Sequence, residues 1–182
     1  MLRYPEQAVP TELHAWVDSD YAGDVITRKS TSGCVVMYGS HCLKTSSTVQ
    51  EPIGLSSGES EFYAAVKGGA TVLGIESLLK DWGVKLMPVL VLKTDSSAAK
   101  GFACRRGLGR SRHVSTRLLW LQDAVSRARL HIRKVGTKEQ LGDFLTKPMS
   151  QHWLRDMLPK MGIYFEDGRA RSQKAAFVAS CG

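Results

Sequence analysis

A short run that ends on a carboxylate, Leu13-His14-Ala15-Trp16-Val17-Asp18, constrains this chain more than any other stretch. Its apolar, aromatic and β-branched residues suit a short buried strand. Asp18 then sits at the exit of that strand, where an ionised carboxylate is costly unless a cation or hydrogen bonds meet it. A turn cap alone would satisfy one such acid. The pattern recurs, however: Val89-Leu90-Val91-Leu92-Lys93-Thr94 reads as a strand covered on both faces and runs straight into Asp95. If the two strands are parallel neighbours, both carboxylates emerge at one sheet edge, where open α/β sheets place their ligands.

The remaining pattern surrounds these two strands. Residues 1–12 hold Pro5 and Pro10 without periodicity and read as an irregular lead-in. Cys34 to Tyr38 is a second strand, Gly39-Ser40 a two-residue hairpin turn, and His41 to Thr45 a third strand antiparallel to the second. Ser56 opens a long helix whose Phe62, Ala65, Val66, Gly69, Val72 and Leu73 form a core-facing stripe. Gly68-Gly69 lowers helix propensity there, and close packing against the sheet is the expected reason. Gly83 stops the helix. A short helix follows Asp95, a longer one spans about Ser115 to Ala128, Leu130 to Val135 is a fifth strand, and Thr137 to Thr146 is a final helix. The order β-β-β-α-β-α-α-β-α contains no internal repeat or dividing linker. The 182 residues, 43% hydrophobic, suffice for one domain with a substantial core. Trp16, Trp82, Trp120 and Trp153 lie in apolar patterns and read as core.

Two further acids join Asp18 and Asp95: Glu61 in the first turns of the long helix and Asp143 in the last one. Four carboxylates without accompanying His or Cys ligands suit the hard, oxygen-preferring ions Mg²⁺ or Mn²⁺. A pair of such ions about 3.5–4 Å apart can clamp the attacking and leaving oxygens of a phosphodiester. The chain carries 25 Lys and Arg against 17 Asp and Glu, a formal net charge of +8. That surplus favours a polyanionic partner, nucleic acid first. Four widely spaced cysteines without a C-x-x-C pair argue against a zinc knuckle or a disulfide framework, and no apolar run is long enough for a membrane span. A soluble, intracellular protein, cytoplasmic or nuclear and without a membrane partner, is the expectation.

Several phrases occur together in a defined order: Val17-Asp18-Ser19-Asp20-Tyr21-Ala22-Gly23-Asp24, Arg28-Lys29-Ser30-Thr31-Ser32-Gly33, Leu55-Ser56-Ser57-Gly58-Glu59-Ser60-Glu61-Phe62-Tyr63-Ala64-Ala65, Arg112-His113-Val114 and Gln140-Leu141-Gly142-Asp143-Phe144-Leu145-Thr146-Lys147-Pro148. Over residues 13–163 or so, the chain resembles the ribonuclease H domain of Ty1/copia-type retrotransposon polyproteins. The resemblance implies a ribonuclease H-like α/β fold, a five-stranded mixed sheet with its first three strands antiparallel and helices on its flanks. Domain bounds would be 13–149, a C-terminal helix over 150–163, and a tail at 164–182 that matches nothing recognised. It also implies an endoribonuclease that hydrolyses the RNA strand of RNA–DNA hybrids with two Mg²⁺ ions, Mn²⁺ being a possible substitute, beside a reverse transcriptase domain. The family's metal-binding, catalytic acids fall on Asp18, Glu61, Asp95 and Asp143.

Two of these positions have a neighbouring competitor. The family's first acid directly ends its strand, which selects Asp18 over Asp20. Ser56-Ser57-Gly58-Glu59 has the capping-box form, in which the glutamate folds back onto the cap residue's N–H, so Glu59 has a structural role and Glu61 is left for metal. Cellular and many retroviral ribonucleases H carry a histidine in the loop before the fourth acid. Here that loop is Val135-Gly136-Thr137-Lys138, and Thr137-x-x-Gln140 forms a second capping-box phrase. His113 is the nearest substitute, although a hydrogen-bonded histidine at a helix start explains it as well. Arg105, Arg106, Arg110 and Arg112 crowd a glycine-containing stretch, either as a substrate-binding patch tracking phosphates or as an exposed basic loop. The alternative function is a catalytically inactive, nucleic-acid-binding remnant of a retrotransposon polyprotein.

Overall fold

The computed structural model describes residues 1–85, 87–109 and 113–165. Its frame is a five-stranded sheet in the order β3-β2-β1-β4-β5. The strands are β1 (Glu12–Ser19), β2 (Thr31–Tyr38), β3 (His41–Val49), β4 (Val89–Thr94) and β5 (His131–Lys134). β1 to β3 are antiparallel, β4 runs parallel to β1, and β5 parallel to β4. Gly39, at φ 59°, makes the tight turn between β2 and β3. β1 pairs with β4 as far as Trp16 opposite Lys93, and carrying that register two residues further sets Asp18 level with Asp95. The parallel arrangement expected from the two acid-ended strands is therefore present.

Side-chain alternation gives the sheet two buried faces. Leu13, Ala15 and Val17 of β1, with Cys34 and Val36 of β2, enter a core formed with helix α1 (Ser57–Asp81), α2 (Ser97–Cys104) and α3 (Trp120–Ser126). Phe62 is fully buried there and lies 4.2 Å from the Phe102 ring. Val35 and Met37 project to the opposite face, beneath Leu141, α4 (Gln151–Met157) and the 3₁₀ turn Leu158–Met161. Gly68 explains how α1 lies so close to β1: a Cβ there would sit 2.2 Å from Val17 Cγ1. Gly69 serves a different neighbour, because its Cβ would meet Leu121 and Trp120 of α3 at 3.1 Å.

Four features depart from the sequence pattern. The helix expected over 115–128 is a 3₁₀ turn, Thr116–Leu118, followed by the short α3. Ala128 adopts φ 54° and the Arg129 N–H bonds back to Ala124 O at 2.9 Å, which closes the helix early. The helix expected over 137–146 is replaced by two 3₁₀ turns, Thr137–Glu139 and Asp143–Leu145, separated by an extended Gln140. Trp82 is 71% exposed rather than core, since it falls on the C-cap of α1, beyond the buried stripe. The lead-in is not wholly irregular: Leu2 bridges Ile163, and the Arg3 N–H donates to Gly162 O at 2.8 Å. Residues 166–182 of the expected tail lie outside the described residues.

Candidate metal centre

β1 and β4 deliver Asp18 and Asp95 to the same end of the sheet, and α1 brings Glu61 over it. One oxygen from each of the three carboxylates lies within 4.8 Å of the others. α1 starts where it does because the Ser56 side chain accepts the Glu59 N–H at 3.2 Å. Glu59 completes the cap one residue earlier than a capping box requires, by accepting the Leu55 N–H at 3.1 Å. Its carboxylate also accepts the Tyr63 hydroxyl and lies 2.8 Å from His113 Nε2. Glu59 is thus fully occupied away from the cluster, and Glu61 is the glutamate that joins it. His113 has the structural explanation: it is a hydrogen-bond partner of Glu59. Asp20 is similarly taken, its Oδ1 accepting the Thr31 N–H within its own loop.

Asp143 is not part of that three-carboxylate group; it lies on an irregular segment near enough to feel the charges of Asp18 and Asp95. Gln140 is fully buried; its Nε2 donates to Val17 O at 2.9 Å and its Oε1 accepts the Gly142 N–H at 3.2 Å. Gly142 is pressed so closely on β1 that a Cβ would lie 2.9 Å from Asp18 Cβ. Gly33, paired with Asp18 across β1 and β2, leaves room for the same segment, since its Cβ would lie 2.7 Å from Gly142 O. The Thr146 hydroxyl donates to Asp18 Oδ2, and the Thr137 hydroxyl to Asp95 Oδ2 at 3.1 Å. The sequence pattern marks Thr137 and Gln140 only as a capping pair and gives no site role to them, to Thr146 or to Lys147. Lys147 carries one local signal toward the site, an opposite charge four residues after Asp143.

The electrostatics are those of a crowded anionic site. Burial, then the charges of Asp18 and Asp95, push the Glu61 carboxyl up to about 8, although a hydrogen bond from the Ser19 backbone favours its charged form. Burial likewise raises Asp143 to about 6, against the opposing pull of Lys147, whose Nζ lies 2.9 Å from Asp143 Oδ2. Glu61 Oε2 and Asp143 Oδ1 are buried without a hydrogen-bond partner among the described residues. Buried carboxylate oxygens in that state are unstable as anions until a proton or cation reaches them. The donor set is all oxygen, which fits Mg²⁺ or Mn²⁺.

The arginines separate into different environments. Arg105 turns back onto its own loop, its Nη2 donating to Leu108 O at 2.7 Å and its guanidinium lying 3.8 Å from the centre of the Phe102 ring. Arg106 is exposed. Arg110 and Arg112 lie outside the described residues.

This architecture is the ribonuclease H fold. It matches LC11-RNase H1, isolated from compost, at a TM-score of 0.50 and 12% identity, covering 75% of this chain and 93% of that one. The N-terminal RNase H domain of a Mycobacterium tuberculosis protein, solved as a maltose-binding-protein fusion, also gives 0.50, at 13% identity over 82% and 99% of the two chains. In sequence, the chain is 31% identical over 153 residues, 83% of its length, to the retrovirus-related Pol polyprotein from transposon RE1 of Arabidopsis thaliana. The corresponding polyprotein from transposon TNT 1-94 of Nicotiana tabacum is 27% identical over 135 residues, 74% of the chain. No family model matches. The chain is a ribonuclease H-type domain related to the Pol polyproteins of Ty1/copia-type retrotransposons. It spans 10% of the length of each of these polyproteins.

Proposed function

We propose that this domain is an endoribonuclease that hydrolyses the RNA strand of RNA–DNA hybrids, as retrotransposon reverse transcription requires. The observation that carries the reading is the convergence of Asp18, Glu61 and Asp95 within 4.8 Å, with a buried, unpartnered oxygen on Glu61. Such a cluster is stable as anions only with a cation present. Asp18, Glu61, Asp95 and Asp143 would hold Mg²⁺, two ions in the full reading, with Mn²⁺ as a substitute. When bound, the metal supplies positive charge to a phosphodiester and lowers the pKa of water.

The chain's own groups prepare that centre. Thr146 and Thr137 donate to Asp18 and Asp95, which orients both carboxylates while leaving lone pairs for a cation. Burial and the neighbouring acids push the Glu61 carboxyl up to about 8, which favours its protonated form in the metal-free protein, so a cation would compete with that proton. The surplus of positive charge, including the exposed Arg106, draws the nucleic acid in. A hybrid carries 2′-hydroxyls on one strand only, and this distinguishes it from duplexes of RNA or DNA. The relationship to Pol polyproteins supports a reverse transcriptase domain as partner.

The test is incubation of the purified chain with labelled hybrid, RNA duplex, DNA duplex and single strands, in Mg²⁺, Mn²⁺ or EDTA. Cleavage of RNA in the hybrid alone, abolished by EDTA, is the expected result. Equal cutting of RNA duplex would overturn the substrate assignment, and activity in EDTA the metal assignment. Hybrid binding without cleavage would return the domain to the class of inactive remnants.

A further inference from the structure

Lys147 stands over the fourth carboxylate in a way the proposed activity does not by itself explain. Its Nζ lies 2.9 Å from Asp143 Oδ2, and its backbone N–H donates to Asp143 O at 3.1 Å, so one turn of chain holds the pair together. The carboxylate is 4% exposed and its other oxygen has no partner among the described residues, whereas the lysine side chain is 46% exposed. The anion is therefore fixed, while the ammonium has solvent into which its flexible stem can withdraw. Asp18, Glu61 and Asp95 form a group that does not include Asp143, and Lys147 feels the charges of Asp18 and Asp95 as well as that of Asp143.

We propose that Lys147 is a resident counter-ion that a divalent cation must displace from Asp143, so that this one side chain sets the cation affinity of the Asp143 side of the centre. An ammonium and a metal ion compete for the same carboxylate lone pairs, and their like charges repel at this distance. In the metal-free protein the ammonium offsets part of the repulsion among the four acids. The inference rests on the reading of those acids as metal ligands, and it concerns a residue that is not itself a ligand.

The experiment measures Mn²⁺ binding to the full chain by calorimetry, together with thermal melting in EDTA and in Mn²⁺. The variants are Lys147→Met, which keeps the stem, Lys147→Arg, which keeps the charge, Asp143→Asn, and Lys147→Met combined with Asp143→Asn. Lys147→Met should tighten Mn²⁺ binding about tenfold, given the strength of a unit charge so near, and Lys147→Arg should stay close to wild type. The tightening should vanish in the Asp143→Asn background, because the two residues act through one contact. In EDTA, Lys147→Met should melt below wild type and recover more than wild type when Mn²⁺ is added. Unchanged or weaker Mn²⁺ binding by Lys147→Met, or equal tightening without Asp143, would overturn the competition. Failure of the wild type to bind Mn²⁺ at all is a separate result, and it would overturn the metal centre itself.

Discussion

Ser56-Ser57-Gly58-Glu59 and Thr137-Lys138-Glu139-Gln140 have the same capping form and lead to different structures. The first starts the 25-residue helix α1, with the Ser56 side chain on the Glu59 N–H. The second starts only a 3₁₀ turn with no side-chain cap. Gln140 is diverted to the Val17 carbonyl, just past the last residue at which β1 pairs with β4, where a buried acceptor needs a donor. Thr137 is diverted to Asp95. A local capping phrase builds a helix only where its side chains find no better partner far along the chain. The N-terminal acids consequently stand on regular elements, whereas Asp143 stands on a segment shaped by what it touches.

The largest expected effect lies in the regular part. If the proposed centre is right, Asp18→Asn and Asp95→Asn should each reduce hybrid cleavage at least about 100-fold, because several kcal/mol of charge stabilisation would depend on the ion assigned to them. Single-turnover assays at saturating hybrid would check this, with circular dichroism to show that the fold persists. A loss of less than tenfold in either variant would move the centre elsewhere.

Next comes the segment that carries Asp143. Gln140→Leu leaves the Val17 carbonyl and Gly142 N–H without their partner and should lower stability by about 1–3 kcal/mol. Urea unfolding would measure it. A neutral result would mean that the diverted glutamine does not fix this segment. The two caps give the smallest contrast: Ser56→Ala should cost about 1 kcal/mol, and Thr137→Ala less than about 0.5 kcal/mol, as for an ordinary surface change. Thr137→Ala should instead reduce cleavage by roughly tenfold through Asp95, as loss of a hydrogen bond to a metal ligand does. Equal destabilisation by the two substitutions would remove the distinction between the phrases.

Which parts were legible in the sequence follows the same division. Alternating and continuous apolar runs located β1 and β4 and put their acids at the strand ends, because those patterns report burial directly. Glu59 could be separated from Glu61 by capping chemistry, which acts over four residues. The turns around Asp143 could not be read, because Gln140 is fixed by a carbonyl 123 residues away. Leu141, Phe144 and Leu145 cover the second face of the sheet from turns rather than from a helix. Trp82 departs from its apolar pattern for a related reason, since an apolar residue at a helix end continues the pattern without sharing its burial. The five-stranded mixed sheet is what the family resemblance implies, and no local signal gives its strand order β3-β2-β1-β4-β5.

The proposed metal centre requires that Glu61, rather than Glu59 two residues away, be the glutamate that faces it. Its most direct test compares Glu61→Gln with Glu59→Gln for Mg²⁺-dependent hybrid cleavage and for melting in EDTA between about pH 5 and pH 9. Glu61 has its carboxyl raised from 4.5 to about 8 in the fold, so the folded state holds a proton that the unfolded chain has lost. Wild-type stability without metal should therefore fall as pH rises across that interval. Glu61→Gln should be inactive yet lose less stability over the same range, whereas Glu59→Gln should keep activity and follow the wild-type slope. An active Glu61→Gln with the wild-type pH slope, beside an inactive Glu59→Gln, would contradict the account.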